Sequence, residues 1–341
     1  MTMMTIAEAL RTAMAEEMRR DETVFCLGED VSDLAGGYGG AFGVTKNLAK
    51  EFGGERVLNT PISEILIAGA AVGAAMAGMR PIADVQYGDF LFCAMDQLAN
   101  QAAKMTYMSG GKVKVPMVMR APVGATTRGA QHSQSMEGFF TRVPGLKVIC
   151  PSTAYDAKGL LKSAIRDDNP VICFEHKLLY GKAAGGRIEQ GGLSPMSEVP
   201  DGDYLVPFGQ AAVRREGRDI TIVANLLMAH RAMEAAAELD KEGISCEVID
   251  PRTLVPFDYD TVVRSLRKTS RLMIVHEDTY SNGWGAQLAA YVAEREIYLL
   301  DAPVARVATY DVPIPFAPPM ESFVIPSAQR IIEAARSLLR T

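Results

Sequence analysis

Short apolar runs alternate with amphipathic stretches along almost the whole 341-residue chain, and this alternation restricts the possible folds more than any other feature. The runs at 24–27, 82–85, 115–120, 148–150 and 171–174 are short, apolar and predict strands, with one more expected near Val57. Between them lie helical patterns. Ile6, Leu10, Met14 and Met18 recur at helical spacing behind Thr5 and Glu8, which have the form of a capping box. Leu91, Met95, Leu98, Ala102 and Met105 share one face of a helix predicted over 90–107, and another helix is expected over 155–165. Short strands separated by helices make a parallel sheet covered on both faces.

The pattern then breaks and resumes. Segment 181–202 carries six Gly and two Pro with little periodicity, the composition of a connection. Strands at 220–224, 246–249 and 272–275 follow, with helices at 230–239, 258–268, 286–295 and 328–339. The expectation is an α/β protein of two parallel-sheet domains, 1–180 and 203–341, joined by a linker at 181–202. A length of 341 residues with 48% apolar content suits two cores of roughly 150 residues each.

A formal charge of −6 supplies no general attraction to phosphate backbones or anionic lipid, which argues against nucleic-acid and membrane partners. Cys26, Cys93, Cys150, Cys173 and Cys246 have no metal-ligand or redox-pair spacing and suit a reducing, cytoplasmic setting. The N-terminal residues have neither a signal core nor an Arg/Ser-rich presequence. The longest uncharged apolar stretch, 65–79, is shorter than the ~20 residues that span a bilayer. Its nine Ala and Gly residues predict a buried helix in close contact with another element. The glycine-rich segment 36–40 must be a loop, and it lacks the order of a dinucleotide-binding turn.

Two polar groups stand out against this frame. In Thr60-Pro-Ile-Ser-Glu64, Thr60 reads as a helix cap, Pro61 as the first helical residue and Glu64 as an acid in the first turn. Alone, Glu64 is accounted for by the helix dipole. His132 lies in a polar loop, 128–135, after a predicted strand, where open parallel sheets bind ligands. A structural hydrogen bond would explain it equally well.

Taken in order, TPISE at 60–64 with its small-residue helix, YMSGG at 107–111, AQHSQS at 130–135, PGLKV at 144–148 and DAKGLLKSAIRDDNPV at 156–171 form a specific series. The chain resembles, over nearly its whole length, the β subunits of the thiamine-diphosphate-dependent first component of 2-oxo acid and acetoin dehydrogenase complexes. The resemblance implies a transketolase-like pyrimidine-binding domain followed by a transketolase C-terminal domain.

It also implies roles. Glu64 would bond the pyrimidine ring nitrogen of thiamine diphosphate, with Ile62 and Phe90 lining the ring's apolar slot; an ordinary core aromatic is the alternative for Phe90. His132 would handle protons during transfer to a lipoyl arm, and Glu29 matches an acid of a proton relay, although a solvated loop acid would look the same. Asp167 and Asn169, with carbonyls of Met117 and Ala164, match a potassium site in relatives, and the same residues would also make a simple turn. Cys93 departs from pyruvate enzymes that carry glutamine there.

No magnesium-binding GDG signature is present, and Asp201-Gly-Asp203 has a different order. The resemblance therefore implies that an α chain holds the diphosphate and its magnesium, in an α2β2 heterotetramer that serves a lipoyl-bearing acyltransferase. Arg264, Arg267, Lys268 and Arg271 are either a docking surface for that acyltransferase or a solvated helix face. Segment 150–180 looks nearest to acetoin enzymes and 84–96 nearer to branched-chain ones, so the substrate stays open. Half of a split transketolase and a noncatalytic scaffold are the competing readings.

Overall fold

The computed structural model describes residues 1–34, 37–181 and 196–340. It divides into two compact units, one of residues 1–123 with 140–208 and the other of residues 124–139 with 209–341.

In the first unit the elements are β1 (Thr2–Thr5), α1 (Ile6–Arg20), β2 (Val24–Gly28), α2 (Leu48–Phe52), β3 (Val57–Asn59), α3 (Glu64–Met76), β4 (Arg80–Asp84), α4 (Leu91–Asp96), α5 (Ala103–Met108) and β5 (Val118–Val123). After a short α6 (Glu137–Thr141) come β6 (Lys147–Ile149), α7 (Ala154–Arg166), β7 (Val171–His176) and β8 (Met196–Val199). Six strands in the order β6-β7-β5-β4-β2-β3 form an all-parallel sheet. Strands β2 and β7 are buried along their full length, which is why they read as continuous apolar runs. The capping box is present: Thr5 Oγ1 accepts from Glu8 N–H at 3.2 Å while Thr5 N–H donates to Glu8 Oε2 at 2.8 Å.

Several expectations shift. Helix α3 starts at Glu64 with Ser63 as its cap residue, not at Pro61. Thr60 N–H instead donates to Gly28 O at 2.9 Å, which ties the chain to the end of β2 at that point. The helix predicted over 90–107 contains a stretch of wider π turns, Gln97–Ala102, between α4 and α5. Phe90 sits in the 3₁₀ turn before it, Gly88–Phe90. The small-residue helix α3 is not buried all round: Ile67, Ala68, Ala71, Val72 and Ala75 are covered, while Ile65, Leu66, Ala70, Gly73 and Met76 face outward.

Most of the expected linker, 182–195, lies outside the described residues. Residues 196–208 pack on the first unit: β8 pairs antiparallel with β1, Tyr204 stacks on Tyr155 at 4.7 Å, and Asp203 pairs with Lys162 at 2.5 Å.

The second unit comprises β9 (Ala212–Arg215), β10 (Ile220–Ala224), α8 (Leu226–Asp240), β11 (Cys246–Asp250), β12 (Thr253–Val255), α9 (Tyr259–Thr269), β13 (Leu272–Thr279), α10 (Trp284–Arg295), β14 (Ala305–Thr309), α11 (Pro318–Val324) and α12 (Ala328–Leu338). Its sheet runs β14-β13-β10-β11-β9, parallel except for the edge strand β9. Among the described residues, no helix is long and apolar enough to cross a membrane.

Candidate functional site

Strands β4, β2 and β3 are neighbours and parallel, so their carboxyl ends open on one edge of the first unit's sheet, where α/β sheets bind ligands. Glu29 follows β2, Ile62 and Glu64 follow β3, and Phe90 follows β4. The loops behind two of these strands are tied together: Asn59 Oδ1 accepts from Ser32 N–H at 2.7 Å, and Thr60 N–H reaches Gly28 O. On its other side Gly28 is required where the end of β2 approaches β4, because a Cβ there would come within 2.5 Å of Asp84 O. Burial raises the Glu29 carboxyl above its ordinary value, and the nearby charges of Asp30 and Glu64 raise it further. Glu29 and Glu64 therefore share one electrostatic neighbourhood.

Two apolar side chains follow the same strands. Ile62 is 77% exposed and Phe90 is half-buried, its ring against Tyr87 at 5.7 Å. Tyr87 contacts Phe42, and Phe42 contacts Tyr180. Tyr180 donates its hydroxyl to Glu175 Oε2 at 2.6 Å, joining the aromatic row to a buried ionic group. In that group Arg120 binds Glu175 with two hydrogen bonds and also holds Asp84. Burial pushes the Asp84 carboxyl up to about 6, against the pull of Arg120. The only trace of this group in the sequence is an arginine inside the apolar run at 115–120.

Ala164, Asp167 and Asn169 lie at and just beyond the end of α7, and Met117 is bonded to Val171 a little further along the chain. Their oxygens suit a hard cation, yet each already has a role or lies beside one. Met117 O accepts from Val171 N–H at 2.9 Å, and Ala164 O accepts from Asp167 N–H at 3.3 Å. Asp167 Oδ1 accepts from the backbone and side-chain N–H groups of Asn169, both at 2.8 Å, and Oδ2 is held by the Lys147 ammonium. Burial acts to raise the Asp167 carboxyl, but Lys147 and Asn169 outweigh it and keep it low. A potassium ion here would share this carboxylate with Lys147. Among the described residues, no group of three or more His, Cys, Asp or Glu side chains could hold a metal.

His132 belongs to the second unit, on the segment 124–139. It is half-buried, and its N–H donates to Gly129 O at 3.3 Å. The segment borders a cleft of about 460 Å³ whose lining includes Gln134, Ser135, Glu277, Asp278, Asp311 and Ile314. Below it, Glu277 Oε1 accepts from Ala125 N–H at 2.6 Å and Asp278 Oδ2 from Gly138 N–H at 3.0 Å. Burial drives the Glu137 carboxyl well above the ordinary carboxylate range, helped by Asp278 and Glu277, and pushes Asp278 up to about 6. Burial also pulls His276 down to about 4; its Nδ1 lies 3.0 Å from Asp278 O, and its buried Nε2 has no partner among the described residues.

Comparison with known proteins decides the family. The profile "Transketolase, pyrimidine binding domain" matches residues 2–182, and "Transketolase, C-terminal domain" matches residues 209–331. The chain is 46% identical to the acetoin:2,6-dichlorophenolindophenol oxidoreductase subunit beta of Cupriavidus necator, over 99% of this chain and 98% of that one. It is 44% identical to the 2-oxoisovalerate dehydrogenase subunit beta of Bacillus subtilis, over 99% of each chain. With the pyruvate dehydrogenase E1 component subunit beta of Rickettsia felis the identity is 45%, over 98% of each chain. The chain belongs to the transketolase-like β subunits of 2-oxo acid and acetoin dehydrogenases.

A solved structure titled split gene transketolase, inactive beta4 tetramer, has the same fold as this β subunit, with a TM-score of 0.77, 23% identity and coverage of 99% of this chain and 98% of that one. Three relatives with differently named substrates lie at 44–46% identity, so identity alone does not select a substrate for the β subunit. Two acidic residues weighed for magnesium are occupied within the β subunit: Asp201 binds the N-terminal ammonium at 2.7 Å, and Asp203 binds Lys162 and Arg166. On the basic helix α9, Lys268 pairs with Glu216 at 3.1 Å and with Glu247, and Arg264 donates to Thr261 Oγ1 at 2.6 Å.

Proposed function

We propose that this β subunit provides the pyrimidine half of a thiamine diphosphate site and acts only when paired with an α chain in an α2β2 enzyme of the cytoplasm. The observation that supports the reading is that Glu64, at the start of α3, shares an electrostatic neighbourhood with Glu29 at the strand-end edge, with the exposed Ile62 two residues before it and Phe90 following the neighbouring β4. That set fits an aminopyrimidine: a carboxylate for the protonated ring nitrogen and apolar surface for its faces.

When bound, the coenzyme supplies a nucleophilic thiazolium carbon for attack on a 2-oxo acid or acetoin. Glu64 holds a proton at the pyrimidine ring nitrogen and so selects the tautomer that can act as a base. Glu29, raised toward its protonated form, is a station for proton exchange with Glu64. Ile62 and Phe90 keep water from that hydrogen bond, which strengthens it. His132 donates or accepts a proton as the fragment passes to the lipoyl arm of the acyltransferase. The α chain would hold the diphosphate and magnesium, and Asp167, Asn169 and the Met117 and Ala164 carbonyls would hold a potassium ion.

The outward face of α3, with Ile65, Leu66, Gly73 and Met76, and the 87%-exposed Tyr107 support burial against another chain. The test is co-purification with the α chain followed by assays on pyruvate, 3-methyl-2-oxobutanoate and acetoin. Turnover of one of these by the pair, and none by either chain alone, is expected. Turnover by this chain alone would defeat the reading.

A further inference from the structure

Segment 124–139 is held to the second unit in an unusual way. Three carboxylates, all nearly buried, accept hydrogen bonds from its backbone: Glu277 (7% exposed), Asp278 (5%) and Glu321 (8%). Ala125 N–H donates to Glu277 Oε1 at 2.6 Å, Thr127 N–H to Glu321 Oε2 at 2.7 Å, and Gly138 N–H to Asp278 Oδ2 at 3.0 Å. Two of these amides lie at the start of the segment and one at its end, so the acids fix both of its feet. Within it, Gly124 N–H donates to Gln134 O at 3.2 Å, which closes the segment on itself around His132.

The backbone needs such restraint. Thr127 has φ +58°, a conformation that a β-branched residue adopts only when its surroundings enforce it. Gly138 leaves no room for a side chain, since a Cβ would lie 2.7 Å from Asp278 Oδ2 and 2.9 Å from Asn282 O. Ala125 also packs against Ile314 and Val324, which gives the same foot an apolar floor. Glu277 and Asp278 share a buried place with Glu137, and keeping acids together there costs electrostatic energy. The arrangement sacrifices electrostatic comfort for charge-assisted bonds that fix backbone atoms closely.

We propose that Glu277, Asp278 and Glu321 are positioning residues that fix His132 for proton handling by clamping the backbone of segment 124–139. The proposal rests on the role given to His132 above. None of the three acids need touch the reacting atoms.

The experiment uses the full chain and its assembled complex with the α chain. Hydrogen–deuterium exchange of the peptide spanning 124–139 reads the clamp directly. Glu277→Leu and Glu321→Leu should each speed exchange of that peptide by about 10-fold or more. Glu277→Gln and Glu321→Gln keep an acceptor oxygen and should stay near the parent. In the complex, the Leu variants should lose about 30-fold in transfer to lipoamide with far less change in reduction of an artificial electron acceptor, and the Gln variants should recover. Combined with His132→Ala, Glu277→Leu should cost nothing more.

Unchanged exchange in both Leu variants, or a full additional loss on top of His132→Ala, would overturn the clamp. Were Glu277→Leu to misfold, Glu321→Leu, on a different element, gives the same two readings. If His132→Ala alone leaves transfer intact, the role of His132 fails, and with it the positioning proposal, while the exchange result still separates a real clamp from none.

Discussion

Arg120 meets Glu175 side-on across β5 and β7, Nε to Oε1 at 2.8 Å and Nη2 to Oε2 at 2.6 Å, with both side chains fully buried. The same guanidinium holds Asp84 at the end of β4. One cation thus ties three neighbouring strands, of which β4 leads to Phe90.

Removing that cation leaves two buried carboxylates facing each other. Arg120→Met should destabilise the chain by about 3–5 kcal/mol. Replacing Arg120, Asp84 and Glu175 together with apolar residues of similar volume should restore most of the loss. Denaturant or thermal unfolding of the variants measures both, and equal damage from the single and triple changes would contradict this account.

Glu64→Gln should leave the melting temperature nearly unchanged, because the carboxylate is half-exposed at a helix start, and slow proton–deuterium exchange at the thiazolium carbon in the reconstituted enzyme by about 100-fold or more. Unaltered exchange would remove Glu64 from its role.

His132→Ala should reduce transfer to lipoamide by about 100-fold while sparing decarboxylation followed with an artificial electron acceptor. Parallel rate measurements on the two acceptors check this, and equal losses would place His132 elsewhere in the sequence of steps.

Gly28→Ala should part the ends of β2 and β4, because the added carbon meets a backbone oxygen that cannot swing away. A loss of about 1–3 kcal/mol in stability is expected, with weaker coenzyme binding by the assembled enzyme. Titration of the coenzyme against intrinsic fluorescence reads the second effect.

Acid should weaken the second unit through His276. Its folded value near 4 lies below its ordinary 6.5, so the unfolded chain takes up a proton that the folded chain refuses. The stability it contributes is present above pH ~6.5 and is lost as pH falls toward ~4, on the order of 3 kcal/mol. Asp278, raised to about 6, acts with the opposite sign, losing stability as pH rises through that range. Thermal melts of the parent and His276→Gln should converge as pH drops from about 7.5 to about 5. A constant gap would show that His276 is not buried in its neutral form.

Local chemistry made much of this protein legible from its residues. The Thr5–Glu8 box, the apolar strands and the helical faces each depend on neighbours a few positions away, and the structure has them at or near the expected places. The start of α3 lies one turn beyond the local signal of Pro61, and Thr60 is bonded instead to Gly28, on a neighbouring strand. Bringing Glu64 and Ile62, after β3, to the same sheet edge as Glu29, after β2, and Phe90, after β4, required knowing that β2 sits between β3 and β4, an order the linear pattern does not contain.

What the amino-acid order alone determined was the class of fold, its parallel sheets and the family to which the chain belongs. Only the tertiary structure decided that Arg120 is an ionic hub and that segment 124–139 is counted with residues far along the chain. The reason is reach: Ala125 meets its acceptor 152 positions away and Thr127 meets its own 194 positions away. An acid in a strand and an amide in a loop bear no mark of one another until packing has excluded water from both.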